Sequence, residues 1–98
     1  MCITFFCLRP NSDPAIKLII GFNRDEQSQR KTTPLGPFED DKFLYAGKDI
    51  KTNGTWLGFN IKTGLMAILT NYDLTYNKNG KSRAMVVRMF LNTSYIPE

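Results

Sequence analysis

The sequence predicts an α+β fold in which antiparallel β-hairpins come first and one helix comes last. Two observations near the N-terminus and centre carry the strands: paired apolar, β-prone runs at 2–8 and 16–22, and a second pair flanking Lys62-Thr63-Gly64. A third carries the helix, a 3.6-residue apolar pattern confined to 83–92.

Residues 2–8, Cys-Ile-Thr-Phe-Phe-Cys-Leu, are β-branched and aromatic types that suit a pleated surface. The segment "RPNSDP" interrupts them with two prolines and several turn formers. Residues 16–22, Ile-Lys-Leu-Ile-Ile-Gly-Phe, form the second run, so the two make a hairpin with a long loop. The stretch "NRDEQSQRKTTPLGPFEDD" is polar, carries Pro34, Gly36 and Pro37, and reads as a loop. A short strand follows at 43–46. In "TWLGFNIKTGLMAILTN", at 55–71, a tight turn joins two strands, and Gly64 is the residue expected at positive φ. Residues 71–81 are polar, with an Asn-Gly turn signal at 79–80. Ser82 is placed to cap the helix through its hydroxyl. Val86, Val87, Phe90 and Leu91 share one helical face and are the expected core contacts. One helix covers one sheet face, and the other face is left to water, a partner or further polypeptide.

With 98 residues, the chain is read as a single domain over 1–98. Lys and Arg outnumber Asp and Glu by 13 to 9, a formal charge of +4, but no basic block is present. Nucleic-acid binding requires a clustered basic face, so no nucleic acid is expected, while weak contact with anionic lipid headgroups is compatible with the charge. Cys2 and Cys7 are too few for a stapled secreted scaffold, which points to a reducing, cytoplasmic setting. They cannot make a four-ligand zinc site, and the chain has no His to complete one. No signal peptide or transmembrane segment is visible, and any membrane contact is expected to be peripheral. The two Asn-X-Ser/Thr patterns, at Asn53 and Asn92, are read as chance in that setting.

Position 2 has a specific chemical logic. Removal of Met1 would leave Cys2 with a free α-amino group of pKa about 7.7–8.0, able to take the thiol proton as a built-in base. Such a site needs no His. From the pattern alone, a Cys at the start of an apolar strand is more often a small packing group. "NRDE" at 23–26 directly follows the second run. Antiparallel pairing would bring it beside Cys2, where Arg24 offers a permanent donor fork for a carboxylate and Asp25 could orient the amine. As a bland alternative, Asn23 opens a solvated polar turn. Trp56, within "NGTWLG", is a large buried or cleft-lining group, and Gly54 and Gly58 allow close backbone approach. Asn71 and Tyr72 are candidate hydrogen-bonding groups at a strand end.

In this order, "MCITFF" at 1–6, "NRDE" at 23–26, "GTWLG" at 54–58 and "LTNY" at 69–72 resemble the NRDE family, as does "GKSRAMVVRMFL" at 80–91. The resemblance implies a fold akin to the N-terminal nucleophile hydrolases, two sheets sandwiched between helical layers. It implies further that Cys2 occupies the nucleophile position, with Arg24 and Asp25 near that superfamily's Arg and Asp. The spacing departs from the superfamily, whose Arg and Asp stand three apart. Asn23, Trp56, Asn71 and Tyr72 become candidate ligand-binding residues.

Family roles implied by the resemblance are Golgi organisation and secretion, mobilisation of haem, and lipid or mitochondrial homeostasis. The expectation is therefore an intracellular trafficking protein, cytoplasmic or Golgi- or mitochondria-associated, that requires no cofactor. Haem or lipid would be its cargo. Without His, haem iron could meet only Cys, Met or Tyr ligands, or none. The alternatives are an N-terminal-cysteine amidase or acyl hydrolase using Cys2, and a product without independent activity. The last follows because family members are longer, so the chain is expected to represent the N-terminal portion of the family domain.

Overall fold

The computed structural model describes residues 2–71 and 79–92. Six strands and one helix follow in the order β1 (Ile3–Leu8), β2 (Leu18–Asn23), β3 (Gly36–Pro37), β4 (Leu44–Ala46), β5 (Leu57–Asn60), β6 (Met66–Ile68) and α1 (Ala84–Leu91). All pairings are antiparallel, in a two-stranded sheet β1-β2 and a four-stranded sheet β3-β4-β5-β6. The α+β class with a C-terminal helix is therefore observed, and it is compatible with the layered sandwich that the resemblance implies.

The β1–β2 hairpin runs in continuous register from Ile3 opposite Asn23 to Leu8 opposite Leu18. Its loop closes through a hydrogen bond from the Arg9 amide to the Lys17 carbonyl (2.8 Å), and the Asp13 carboxylate accepts the Ala15 amide (2.9 Å). Ile16, expected in the second strand, belongs to this loop, because its amide is turned onto the Asp13 carbonyl. At the other end β2 extends through Asn23, one residue into the polar segment.

That polar segment is not wholly a loop. Gly36–Pro37 pairs with β4 at the sheet's edge, where the missing proline N–H costs no ladder bond. Thr32 also bridges to Asp49. The β5–β6 connection forms as expected, with Gly64 at φ +73°. Asn60, almost wholly buried, organises it: its side-chain oxygen accepts the Lys62 and Thr63 amides at 2.9 and 3.0 Å. Its side-chain nitrogen donates to the Leu91 carbonyl at 2.8 Å, tying the turn to the helix end. Asn60→Ala is expected to cost about 2 kcal/mol in urea unfolding, since buried backbone groups lose their partners.

Helix α1 packs against β5 and β6, and the core consists of Phe38, Leu44, Ala46, Val87 and Leu91. Two expectations for the helix need correction. Val87 and Leu91 are buried, whereas Val86 and Phe90 are 60% and 40% exposed. A helix of eight residues laid on a narrow floor buries an i, i+4 stripe, not a broad face. Ser82 is not a side-chain cap. Arg83 holds the cap position with helical φ and ψ and no capping side-chain bond. The first free amides are met by backbone turns instead, Met85 to the Ser82 carbonyl and Val86 to the Arg83 carbonyl.

The floor is glycine. A Cβ on Gly54 would stand 2.6–2.8 Å from the backbone and Cβ of Ala84, and one on Gly58 would stand 3.0 Å from Leu91. The glycines of "GTWLG" thus let the helix approach the sheet, and the neighbouring Thr55 amide donates to the Ala84 carbonyl (3.1 Å). No helix among the described residues is long and apolar enough to cross a membrane.

Candidate functional site

The hairpin register decides where the candidate residues meet. Because Ile3 lies opposite Asn23, the residue before β1 and those after β2 converge at one end of the hairpin. Cys2, half-buried, has its Sγ 3.9 Å from the Asp25 carbonyl oxygen. Both Cys2 and Cys7 are free thiols, Cys7 exposed on the hairpin. Asp25 is exposed on the turn after β2. Asn23 closes β2 with its side chain exposed.

Arg24 directly follows the last residue of β2. Its guanidinium lies over the Trp56 ring, 4.3 Å from the centroid, in cation–π geometry. The indole itself rests against Gly47. Two carboxylates flank the guanidinium at longer range, Glu26 at 3.8 Å and Asp49 at 3.9 Å. Among the described residues Arg24 has these ion pairs and the ring contact, with no short hydrogen bond to its side chain. Its side chain is 16% exposed, and its position is set by the indole.

Asp49 is the residue that sequence reasoning missed. It is 2% exposed and sits at the junction of three segments. Arg30 donates to its Oδ2 through Nε (2.8 Å) and lies 2.7 Å away through its terminal nitrogen, and the Lys51 amide donates to Oδ1 (3.0 Å). Burial alone would raise the Asp49 pKa. The Arg30 hydrogen bond and charge, the Lys51 amide and the charge of Arg24 outweigh it, so the carboxyl stays below the ordinary aspartate value. The local signal was an Asp heading a turn, "DIKTNG", in which the Asn53 amide returns to the Asp49 carbonyl (2.8 Å). Nothing local announced its arginine partners.

Of the other expected ligand residues, Asn71 is exposed beyond β6 and is not hydrogen-bonded to Cys2, Arg24 or Trp56. Tyr72 lies outside the described residues. No group of three or more His, Cys, Asp or Glu side chains that could hold a metal ion occurs among the described residues.

The Cys2 thiol thus meets the Asp25 carbonyl, while the neighbouring Arg24 guanidinium is mounted on the Trp56 ring. The chain belongs to the family described as Transport and Golgi organisation 2, whose pattern matches residues 1–98. It is similar to Transport and Golgi organization protein 2 homolog of Bos taurus, 36% identical over 95% of this chain and 36% of the bovine protein. The Homo sapiens homolog is 37% identical, again over 95% of this chain and 36% of the relative. Transport and Golgi organization protein 2 of Drosophila melanogaster is 31% identical over 89% of this chain and 33% of its own length. The chain thus spans about a third of the length of these relatives. No solved structure matches it.

Proposed function

We propose that the chain acts in intracellular transport by taking an anionic amphiphile, of the haem or lipid class, with the oxyanion held by Arg24. Transport and Golgi organisation are what the relatives' names state of those proteins. One observation carries the chemical part: a guanidinium mounted on Trp56 whose own ion pairs are long, 3.8 and 3.9 Å. Haem propionates, fatty-acid carboxylates and lipid phosphates all present the planar or tetrahedral oxyanion that such a fork receives. The setting that fits is cytoplasmic, with Golgi or mitochondrial association. Titration of haem into the purified chain is expected to shift the Soret band, and Arg24→Ala to weaken binding about tenfold, with Arg24→Lys intermediate. Unchanged spectra, together with no uptake of a fluorescent fatty acid, would remove this reading.

A second reading is favoured by the contact of the Cys2 thiol with the Asp25 backbone carbonyl, which sets the thiol on the turn that carries the Asp25 carboxylate. Once Met1 is removed, the α-amine of Cys2 takes the thiol proton and the sulfur attacks an acyl carbonyl. The leaving amine or alcohol departs with that proton, and water then releases the acid from the thioester. Asp25 would hold the ammonium in place. Intact-mass measurement decides this cheaply, since retained Met1 leaves Cys2 without a free amine. Cys2→Ala should abolish labelling by a thioester-forming probe while leaving the melting temperature within a few degrees.

A further inference from the structure

The residues of β1 and β2 alternate between two faces of their hairpin, and each face carries exposed apolar side chains. On one face, Phe6 and Leu8 are each 67% exposed and Leu18 is 41% exposed. Phe6 stands opposite Ile20 and Leu8 opposite Leu18, so the four form a contiguous apolar patch. On the other face Ile3, Phe5 and Ile19 are 51%, 65% and 46% exposed, with Phe5 folded over Gly21 and no basic side chain at the loop end of the strands. The first patch ends at the loop, where Arg9 and Lys17 join Pro10, Asn11, Pro14 and Ile16 in lining a concavity of about 450 Å³. No acidic side chain lines it, and the nearby Asp13 carboxylate is occupied by the Ala15 amide.

We propose that this face of the β1–β2 hairpin docks on a membrane surface containing anionic phospholipid. The hairpin lies along the interface with Phe6, Leu8 and Leu18 dipping below the headgroups, and Arg9 and Lys17 contact the phosphates. Charge complementarity selects the occupant. An apolar patch bordered by two cations matches an anionic leaflet, whose surface potential attracts basic residues and whose headgroup boundary accepts apolar side chains. Long basic side chains at such a border keep their stems on apolar surface and their heads in the polar layer. The formal charge of +4 acts in the same direction at longer range. The inference does not rest on oxyanion capture at Arg24, which lies beyond the opposite end of the hairpin.

The test is co-sedimentation of the full chain with vesicles of phosphatidylcholine alone or with a third of phosphatidylserine. Binding is expected to the mixed vesicles, to weaken in high salt, and to be slight with phosphatidylcholine alone. Each of Arg9→Gln and Lys17→Gln should lower the partition coefficient about fivefold, and Leu8→Ser about tenfold. Lys62→Gln, which removes one charge from the β5–β6 turn, should lower it less than twofold, which separates contact at the hairpin from net charge. Equal binding to neutral vesicles, or Arg9 and Lys17 variants that bind like the parent, would overturn the proposal. So would a concentration-dependent dimer that Leu8→Ser dissociates, since a second copy would then cover the patch. The two hairpin charge variants remove no buried group, so they remain informative if Leu8→Ser lowers stability.

Discussion

Gly54→Ala is expected to destabilise the chain by about 3 kcal/mol, read as a lower urea midpoint at constant slope. The added methyl would lie 2.6 Å from the Ala84 carbonyl carbon and 2.7 Å from its oxygen, inside van der Waals contact with main chain, not with a side chain that could swing away. Relief requires moving the start of α1 from the sheet. That motion breaks the bond from the Thr55 amide to the Ala84 carbonyl and lifts Val87 from the core. The same methyl on Gly36, which has no neighbour within 4 Å, should cost little and serves as the control.

Asp49→Ala is expected to cost a similar amount, about 3 kcal/mol, by a different route. The substitution removes the carboxylate that pairs with the partly buried Arg30 guanidinium and accepts the Lys51 amide. Because the Arg30 side chain is 31% exposed, water recovers part of the loss, which keeps the cost at the low end for buried pairs. The pH dependence has a definite sign. Asp49 has a lowered pKa in the folded state, so its contribution is complete above the unfolded-chain value of about 3.9. It is lost as pH falls from that value through the folded one. Asp49→Asn should therefore flatten the acid limb of the stability profile below about pH 4 and leave its shape near neutrality unchanged.

Legibility in the sequence followed the range of the interaction. Local signals were readable: the β-prone runs gave the first hairpin, and Gly64 at positive φ gave the second. The meeting of Cys2 with the "NRDE" segment was also foreseeable, because antiparallel pairing of neighbouring strands places the start of one beside the end of the other. Asp49 was not, since its partners Arg24 and Arg30 stand 25 and 19 residues earlier and no local pattern links them. The helix was found but its buried face was overdrawn. Periodicity shows which residues share a face, whereas the width of the glycine floor sets how much of that face is covered. Ser82 failed as a cap for a related reason, in that the preceding turn had already engaged the first amides. The strand Gly36–Pro37 was hidden by two residues that are poor strand formers except at an edge.

Trp56 is the chain's sole tryptophan, and it lies beneath Arg24. Its emission is consequently a built-in optical gauge of that guanidinium, requiring no label. A ligand that draws Arg24 away should change the colour and intensity of the fluorescence, and haem, which absorbs where indole emits, should also dim it by energy transfer. Arg24→Ala removes the first effect and retains the second for any haem still bound nearby. The residue that holds the arginine in place thus lets one cuvette measurement distinguish displacement of the arginine from proximity of the cargo.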